Sequence, residues 1–458
     1  MKNIQKGLMA LAACVTIISS CKKTDDGTVS TPPLQVGNAV SDASPLCGAI
    51  KGTMLSGKTY TIGCDVVVNK GDTLVIQSGV TVNVTGKYSL TVKGVFLSLG
   101  TKAAPNWITV PGITKTDVAN LNPSTDPAFG GNWLGIACDT SCPLCVVKWT
   151  HIEFAGALWS TPTVANVASG DNSRHILFQN PNGILVLEDS WLYGCKDDAV
   201  RLSSGKFSIM RNTVEKCGYQ GGDVFNAKSG SVGDMAYNMC IGTATNATKA
   251  SNKGSVGPQT HINMYNNTYV NGGWRQIQTG RAGGINYEEG SYGSAYNNLM
   301  INCKYGIRIV NNPAADTAKM HYGYTWQYGD SLSIVNQFYP QGYITVPQPT
   351  DVPVPSTFLP TGYLLGGVYN APTLVGKNDP LFVNYPLPAP NLVGVNGSAA
   401  VKGYDFHLKS TSPCIGKGYT SFTPVAAVPV DPNYGATEIT PPGKDFGAYQ
   451  SDGTGNQH

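Results

Sequence analysis

One short frame recurs through the middle of the chain and constrains its fold more than any other feature. Ser190-Trp191-Leu192-Tyr193-Gly194-Cys195 aligns with Asn212-Thr213-Val214-Glu215-Lys216-Cys217. Asn267-Thr268-Tyr269-Val270-Asn271-Gly272 and Asn298-Leu299-Met300-Ile301-Asn302-Cys303 follow the same frame. His151-Ile152-Glu153-Phe154-Ala155-Gly156 is an earlier copy, and Tyr237-Asn238-Met239 opens a degenerate one. The anchors Ser190, Asn212, Asn238, Asn267 and Asn298 stand 22 to 31 residues apart, which is a solenoid period. One such coil cannot bury its apolar strand faces alone, whereas stacked coils bury Val, Ile, Leu and Phe in a continuous column. Stacked Asn side chains can hydrogen-bond one another at the turns, so the anchors are expected to be structural.

Upstream, from Asp65, β-branched runs alternate with turns. Val66-Val67-Val68, Leu74-Val75-Ile76, Val80 to Val84, Leu90 to Val92 and Val95 to Leu99 are punctuated by Gly71, Gly79, Gly86, Gly94 and Gly100. Strands this short suit coils that stack on one another, and no long amphipathic helix pattern interrupts them. The expected fold is therefore all-β: a right-handed parallel β-helix, one elongated domain over residues 46–450, followed by a tail at 451–458. A chain of 458 residues would ordinarily divide into several domains, but a fold that grows by repetition need not. Net charge is +3, and the sequence has no basic cluster beyond the N-terminal region, which argues against a nucleic-acid partner.

The first residues carry export chemistry. Lys2 and Lys6 precede an apolar stretch from Leu8 to Ile18 that is too short to span a bilayer, as in a signal peptide over residues 1–20. Ile18-Ser19-Ser20-Cys21 resembles the bacterial lipobox, which implies that Cys21 is lipidated and becomes the first mature residue. A lipid on Cys21 would hold the protein on a membrane without a transmembrane helix. Lys22-Lys23-Thr24-Asp25-Asp26 is similar to the tag that sends Bacteroidetes lipoproteins to the outer face of the outer membrane. Residues 21–45, rich in Thr, Ser and Pro further on, form the expected tether.

Frame, lipobox and closing segments together resemble Bacteroidetes surface lipoproteins with pectin-lyase-like β-helices. The closing segments are Asp379-Pro380-Leu381-Phe382-Val383, Asp405 to Gly416 and Asp445-Phe446-Gly447-Ala448-Tyr449-Gln450, and the resemblance implies that they close the last coils. It implies a fold and not an activity. The Pro-rich stretch from Tyr339 to Gly362 departs from the coil pattern and is expected to form a surface excursion.

Ten of the twelve Cys follow Cys14 and Cys21, an even number that favours disulfides in an exported protein. Cys47 and Cys64 flank the first strands and could staple the N-terminal cap, while Cys195 and Cys217 could pair elsewhere or sit reduced on adjacent coils. Cys138, Cys142 and Cys145 have the spacing of radical iron-sulfur enzymes, but export and a solenoid are incompatible with that chemistry. A structural zinc would need a fourth ligand, and a disulfide-closed loop is the expectation there.

In β-helix enzymes and binders polysaccharide lies along the stacked coils, against side chains just beyond a turn. Two residues past the frame's Cys or Gly stand Asp197, Tyr219, Trp274 and Tyr305, and Gln341-Gly342-Tyr343 continues the series. Rings in a column match the apolar faces of sugars, and Asp or Arg can bond hydroxyls or uronates; loop insertions that shift parity would make the same rings core. Lys196-Asp197-Asp198-Ala199-Val200-Arg201 is the best charged constellation, with Asp197, Asp198 and Arg201 as catalytic candidates or as a seat for calcium, the one cofactor these residues suggest. It resembles the paired aspartates of pectin-degrading hydrolases, although their Asn-Thr-Asp and Gly-His-Gly motifs are missing. Lys196, Tyr219, Trp274, Arg275 and Tyr305 are the candidate ligand contacts, and Arg275 or Arg281, near Glu288-Glu289, could act as a lyase base. Tyr322, Tyr324, Trp326 and Tyr328 alternate, so on a strand their rings share one face, as a glycan platform or as packing under the Pro-rich stretch. Asp72-Thr73-Leu74, Asp316-Thr317-Ala318 and Asp330-Ser331-Leu332 match a loose O-glycosylation pattern. The expected function is a monomeric surface lipoprotein that binds or helps process a polysaccharide. The alternatives are a β-helix lyase or glycoside hydrolase, and a structural or adhesive envelope protein.

Overall fold

The structure, a computed structural model, describes residues 33–118, 121–254, 257–339, 372–389 and 403–458. The signal, Cys21, Gln341 to Tyr343 and nearly all of the Pro-rich stretch lie outside the described residues. Residues Leu34–His458 form one compact unit.

That unit is a parallel β-helix. One sheet contains ten parallel strands, beginning at Gly52–Met54 and ending at His321–Tyr322. The other two faces are joined by the long strand Thr59–Val68, which turns the first corner and belongs to both. Each coil thus contributes a strand to sheet one, then sheet two, then sheet three. Coil five spans residues 184–202, coil six 205–227, coil seven 231–251, coil eight 261–288 and coil nine 294–309. Inward positions form unbroken columns: on sheet two Val82, Ile108, Ile152, Leu192, Val214, Cys240, Tyr269 and Met300 lie in register and are buried. Burying each such aliphatic side chain is worth about 1.5–3 kcal/mol, and stacking rather than any single coil supplies that burial.

The recurrent frame marks the corner between sheets one and two. The residue before each anchor adopts a left-handed backbone: Asp189 at φ 51°, Arg211 at 57°, Tyr237 at 57°, Asn266 at 49° and Asn297 at 59°. Such a conformation is uncommon for residues other than Gly, and the anchor that follows secures it. Asn298 Oδ1 accepts from Asn267 Nδ2 at 3.0 Å, Asn267 Oδ1 from Asn238 Nδ2 at 3.0 Å, and Asn238 Oδ1 from Asn212 Nδ2 at 2.9 Å. The ladder continues through Ser190 to Thr150 and Ser98. Every Asn anchor from Asn212 to Asn298 is fully buried, so these residues are the structural spine. The frame's fifth position, Gly194, Lys216, Asn271 and Asn302, is left-handed as well and turns the chain towards sheet three. His151 pairs with Trp191 and not with Ser190, which makes Thr150 the anchor of the earlier copy and shifts that alignment by one residue.

Cys47 and Cys64 form a disulfide across the first strands. The other eight described cysteines are free and buried, including Cys138, Cys142 and Cys145. The expected disulfide-closed loop there is corrected: all three thiols point into the interior and pack in the central core.

The aromatic run near the end does not share one face. Tyr324, at φ 43°, turns the chain between sheets one and two. Tyr322 therefore enters the interior, while Trp326 and Tyr328 pack outside with Phe382, Phe406 and Phe446. Strands Phe382–Asn384 and Asp405–Leu408 pair antiparallel and cover the last coils, but the chain then runs back along the solenoid. Val428 and Ala436 pack on the outward side of sheet one with Val75, Leu97, Val146 and Val186. Ala448 N donates to Thr268 Oγ1, Asn456 Nδ2 to the Asn212 carbonyl, and His458 stacks on Trp191 at 3.7 Å. This C-terminal strap occupies the outward faces of sheets one and two, and residues 451–458 are part of that packing.

Candidate functional site

On sheet three, Trp159, Val164 and Thr163 cover the outward residues Leu177, Ala137 and Thr91 of the upstream coils, and the site is built on the coils that follow. The short strands of those coils place one side chain outward between two inward ones: Val200-Arg201-Leu202, Phe225-Asn226-Ala227, Thr248-Lys249-Ala250, Ile285-Asn286-Tyr287 and Ile307-Arg308-Ile309. The register aligns Arg201, Asn226, Lys249, Asn286 and Arg308 in one column. With coils about 4.8 Å apart, the column runs for roughly 19 Å. Alternating positions point to opposite faces, so the inward partners on each side, apolar except for Thr248, fix five polar groups outward.

Above the downstream part of this column lies an open cleft of about 640 Å³, walled by residues 276–281 and 311–313. Lys249 Nζ meets Glu288 Oε1 at 2.7 Å, and Asn286 Nδ2 donates to Glu288 Oε2 at 3.0 Å. Asp223 Oδ1 accepts from Asn246 Nδ2 at 2.7 Å. Arg308 Nη2 donates to the Gly280 carbonyl at 2.7 Å, which ties the cleft wall to its floor. The buried Oδ1 atoms of Asn226 and Asn286 have no hydrogen-bond partner among the described residues. An unmet buried acceptor costs about 1–3 kcal/mol, a cost that a ligand hydroxyl would remove. Burial draws the Lys249 ammonium down, but Asp223 and Glu288 outweigh it and hold its pKa above the usual value. Burial opposes ionisation of Glu288, and Lys249 holds it ionised. Burial also raises the Asp223 pKa, against the pull of Lys249.

At the upstream end stand the paired aspartates. Asp198 Oδ1 accepts from the Asp223 backbone at 2.8 Å and Oδ2 from Asn226 Nδ2 at 3.0 Å. Arg174 Nε and Arg201 Nη1 approach Oδ2 at 3.6 and 3.9 Å. Burial disfavours the Asp198 charge, yet the two guanidiniums hold its pKa below the ordinary value. Asp197, 3.4 Å from Arg174 Nη2, is pushed up to about 6 by burial and by the Asp198 charge. The two carboxyls are thus pushed in opposite directions, Asp198 down and Asp197 up to about 6, a division that suits acid–base work. Asp197, Asp198 and Arg201, close along the chain, share this end of the column with Arg174. The calcium seat finds no fit: Arg174 and Arg201 already flank the carboxylates, and no metal-holding group of three acidic, His or Cys side chains occurs among the described residues.

The other candidates are placed at the corner between sheets two and three. Lys196 is half-exposed, its backbone stacked closely on Gly156. Tyr219 is half-buried beside Phe129, and Tyr305 is half-buried with Lys304 Nζ 5.6 Å from its ring. Trp274 Nε1 donates to the Asn302 carbonyl at 2.9 Å, and its ring packs on the central core. Arg275 is buried, donates to the carbonyls of Gly218, Cys217 and Gly242, and lies 4.6 Å from the Phe129 ring. It cross-links three coils, and burial lowers its pKa to about 10. Arg281 is exposed on the cleft rim, with Glu288 and Glu289 beside the same cleft.

Sequence reasoning missed Arg174, Asn226, Lys249, Asn286 and Arg308. For the last four the signal is a polar residue between two inward ones once per coil, visible only after the third strand of each coil is aligned; Arg174, ahead of its coil's strand, carries no such signal. No family model matches the chain, and no curated protein or solved structure matches it.

Proposed function

We propose that the sheet-three groove binds a polysaccharide lengthwise, across successive coils. The observation that carries this reading is the column Arg201, Asn226, Lys249, Asn286 and Arg308, one hydrogen-bonding side chain per coil, running to the open cleft. A repeating ligand suits a repeating donor and acceptor array, and the unmet Asn226 and Asn286 acceptors suit hydroxyl donors. Binding on a glycan array tests it, with Lys249→Met as the control. Selective hits that weaken at least about tenfold in the variant, while it remains folded, support the groove. Absence of any hit leaves the structural or adhesive reading.

The divided pair Asp197 and Asp198 favours a second reading, hydrolysis or lyase chemistry on the bound glycan. Product analysis on array hits decides: new reducing or unsaturated ends that disappear in Asp197→Asn support it, and intact glycan excludes it.

The protein is further proposed to be anchored through a lipidated Cys21 on the outer membrane, facing the cell surface. The lipobox-like Ile18 to Cys21 supports this reading, and no described helix is long and apolar enough to cross a membrane. Cys21→Ala is expected to release the protein from membranes or block its maturation; a processed variant that stays membrane-bound contradicts it. Protease treatment of intact cells tests surface exposure.

A further inference from the structure

A row of rings runs along the outward face of sheet two. Thr59, Thr81, Trp107, His151, Trp191 and Thr213 stand in register on successive coils. Trp107 stacks on His151 with ring centroids 3.6 Å apart, and His151 on Trp191 at 4.2 Å, both pairs within 2° of parallel. The spacing of parallel strands, about 4.8 Å, explains the order: a flat outward ring on one coil rests against the face of the ring on the next. Burial, and then the nearby Lys115, hold the His151 pKa well below the ordinary value, so the ring in the middle of the row is neutral.

At both ends the row meets a threonine, whose side chain is too short to continue the stack. Over Thr213 the gap is filled from the strap: the His458 ring lies 3.7 Å from Trp191, within 20° of parallel, and its Nδ1 is 3.1 Å from Thr213 Oγ1. Trp149 meets the same ring edge-on at 5.7 Å. Over Thr81 the arrangement recurs, but there Trp107 meets no second aromatic ring among the described residues. The loop that follows Thr109 does not cover this end, because it leads downstream, where Thr116 bonds Tyr193 and Lys216. Thr59 is exposed, and Thr61, Thr81, Asn83 and Trp107 are half-buried. The side chains of Thr59, Thr61, Thr81 and Asn83 hydrogen-bond no other described residue, and they lie in two adjacent rows beside the ring.

We propose that the shelf formed by Trp107 and Thr81 is a second binding site, separate from the sheet-three groove, for a small, flat, neutral heteroaromatic molecule. The ligand stacks on Trp107 as His458 stacks on Trp191, and a nitrogen in its ring plane meets the Thr81 hydroxyl as His458 Nδ1 meets Thr213. Polar substituents on the ring reach Thr59, Thr61 and Asn83. The strap's imidazole shows which ring this kind of seat takes: flat, because it continues a parallel stack, and heteroaromatic, because its edge must hydrogen-bond while its face stays apolar.

Saturation-transfer NMR on the full chain, titrated with imidazole, indole and adenine, tests the site. At least one of the three is expected to bind with a dissociation constant on the order of 1 mM, an ordinary affinity for a ligand of about ten heavy atoms. Thr81→Trp puts a ring of the chain itself into the seat, so the folded variant is expected to lose that binding. Thr81→Val keeps the shape without the hydroxyl and is expected to weaken it about threefold. Should Thr81→Trp fail to fold, Trp107→Leu takes its place, with a loss of at least about tenfold expected. Silence from all three rings up to about 10 mM overturns the proposal, as does undiminished binding to either folded variant. Glucose bound as tightly as the flat rings overturns the ligand class. Binding that strengthens in His458→Ala but ignores Thr81→Trp puts the ligand on Trp191 in place of the strap, and overturns the assignment to Thr81.

Discussion

Asn238 illustrates how much one side chain holds in this fold. Its Oδ1 accepts from the Asn212 backbone and side chain, and its Nδ2 donates to the Ile209 carbonyl and Asn267 Oδ1. Asn238→Ala would strand several buried groups, each costing about 1–3 kcal/mol, so a loss of at least about 3 kcal/mol is expected in urea denaturation. A change under about 1 kcal/mol would mean that the ladder is dispensable. Trp274 and Tyr305 occupy equivalent offsets in the sequence but different surroundings. Trp274→Ala should lower stability by about 2–4 kcal/mol, because it removes a core-packed ring and a hydrogen bond. Tyr305→Ala should change it by less than about 1 kcal/mol, and calorimetry on the two variants separates these outcomes.

Among the elements, the strap is secured by charges on the solenoid's outer side. Asp234 Oδ1 and Oδ2 accept from the backbones of Val425 and Ala426 at 2.9 and 2.7 Å. Burial nevertheless raises the Asp234 pKa to about 6, with those two N–H groups opposing. A carboxyl raised in the folded state stabilises below its unfolded value, and that stabilisation is lost as pH rises through about 6. Asp234→Ala leaves both N–H groups without their acceptor. Limited proteolysis is expected to cut the strap near residues 424–428 faster in this variant, while the coils stay intact. Equal cleavage rates would show that the apolar contacts of Val428 and Ala436 suffice. At the other end, the Cys47–Cys64 disulfide closes a loop of sequence separation 17, for which chain entropy predicts about 3 kcal/mol. Cys47→Ser with Cys64→Ser should lower the melting temperature, and an unchanged value would mean that the first coil needs no staple.

For the molecule as a whole, acid is the predicted weakness. Burial lowers the pKa of His151 to about 3, of His175 to about 4 and of His458 to about 3. His151 lies between Trp107 and Trp191 at 3.6 and 4.2 Å, and His458 extends that stack. Each imidazole is neutral when folded and takes a proton on unfolding, so the unfolded state binds more protons between about 3 and 6.5. Stability therefore rises with pH across that window, by on the order of 3–5 kcal/mol per histidine. Asp197 and Asp234 act in the opposite sense between about 4 and 6. The histidine shifts are larger in sum, so the urea midpoint is expected to fall from pH 7 to pH 4. A midpoint that holds or rises would show that the carboxyls dominate.

The solenoid and its spine were legible in the residue order, because the repeat is local: an anchor, an alternating strand and a left-handed turn every 22 to 31 residues. Adjacent Asp197 and Asp198 could also be picked out, since they are neighbours along the chain. The choice of face could not. Arg174 reaches Asp198, and Arg201 aligns with Lys249 and Arg308, only when coils of unequal length are stacked in register. Tyr322 and Trp326, four residues apart, go to opposite sides because Tyr324 turns the chain between them. The strap joins Asp445 to Asn266 and Asn456 to Asn212 across sequence separations of 179 and 244. By covering the outward sides of sheets one and two, it leaves sheet three to carry the groove. Periodicity determines which side chains face inward; loop lengths and long-range contacts decide which outward face stays open, and those are properties of the assembled stack.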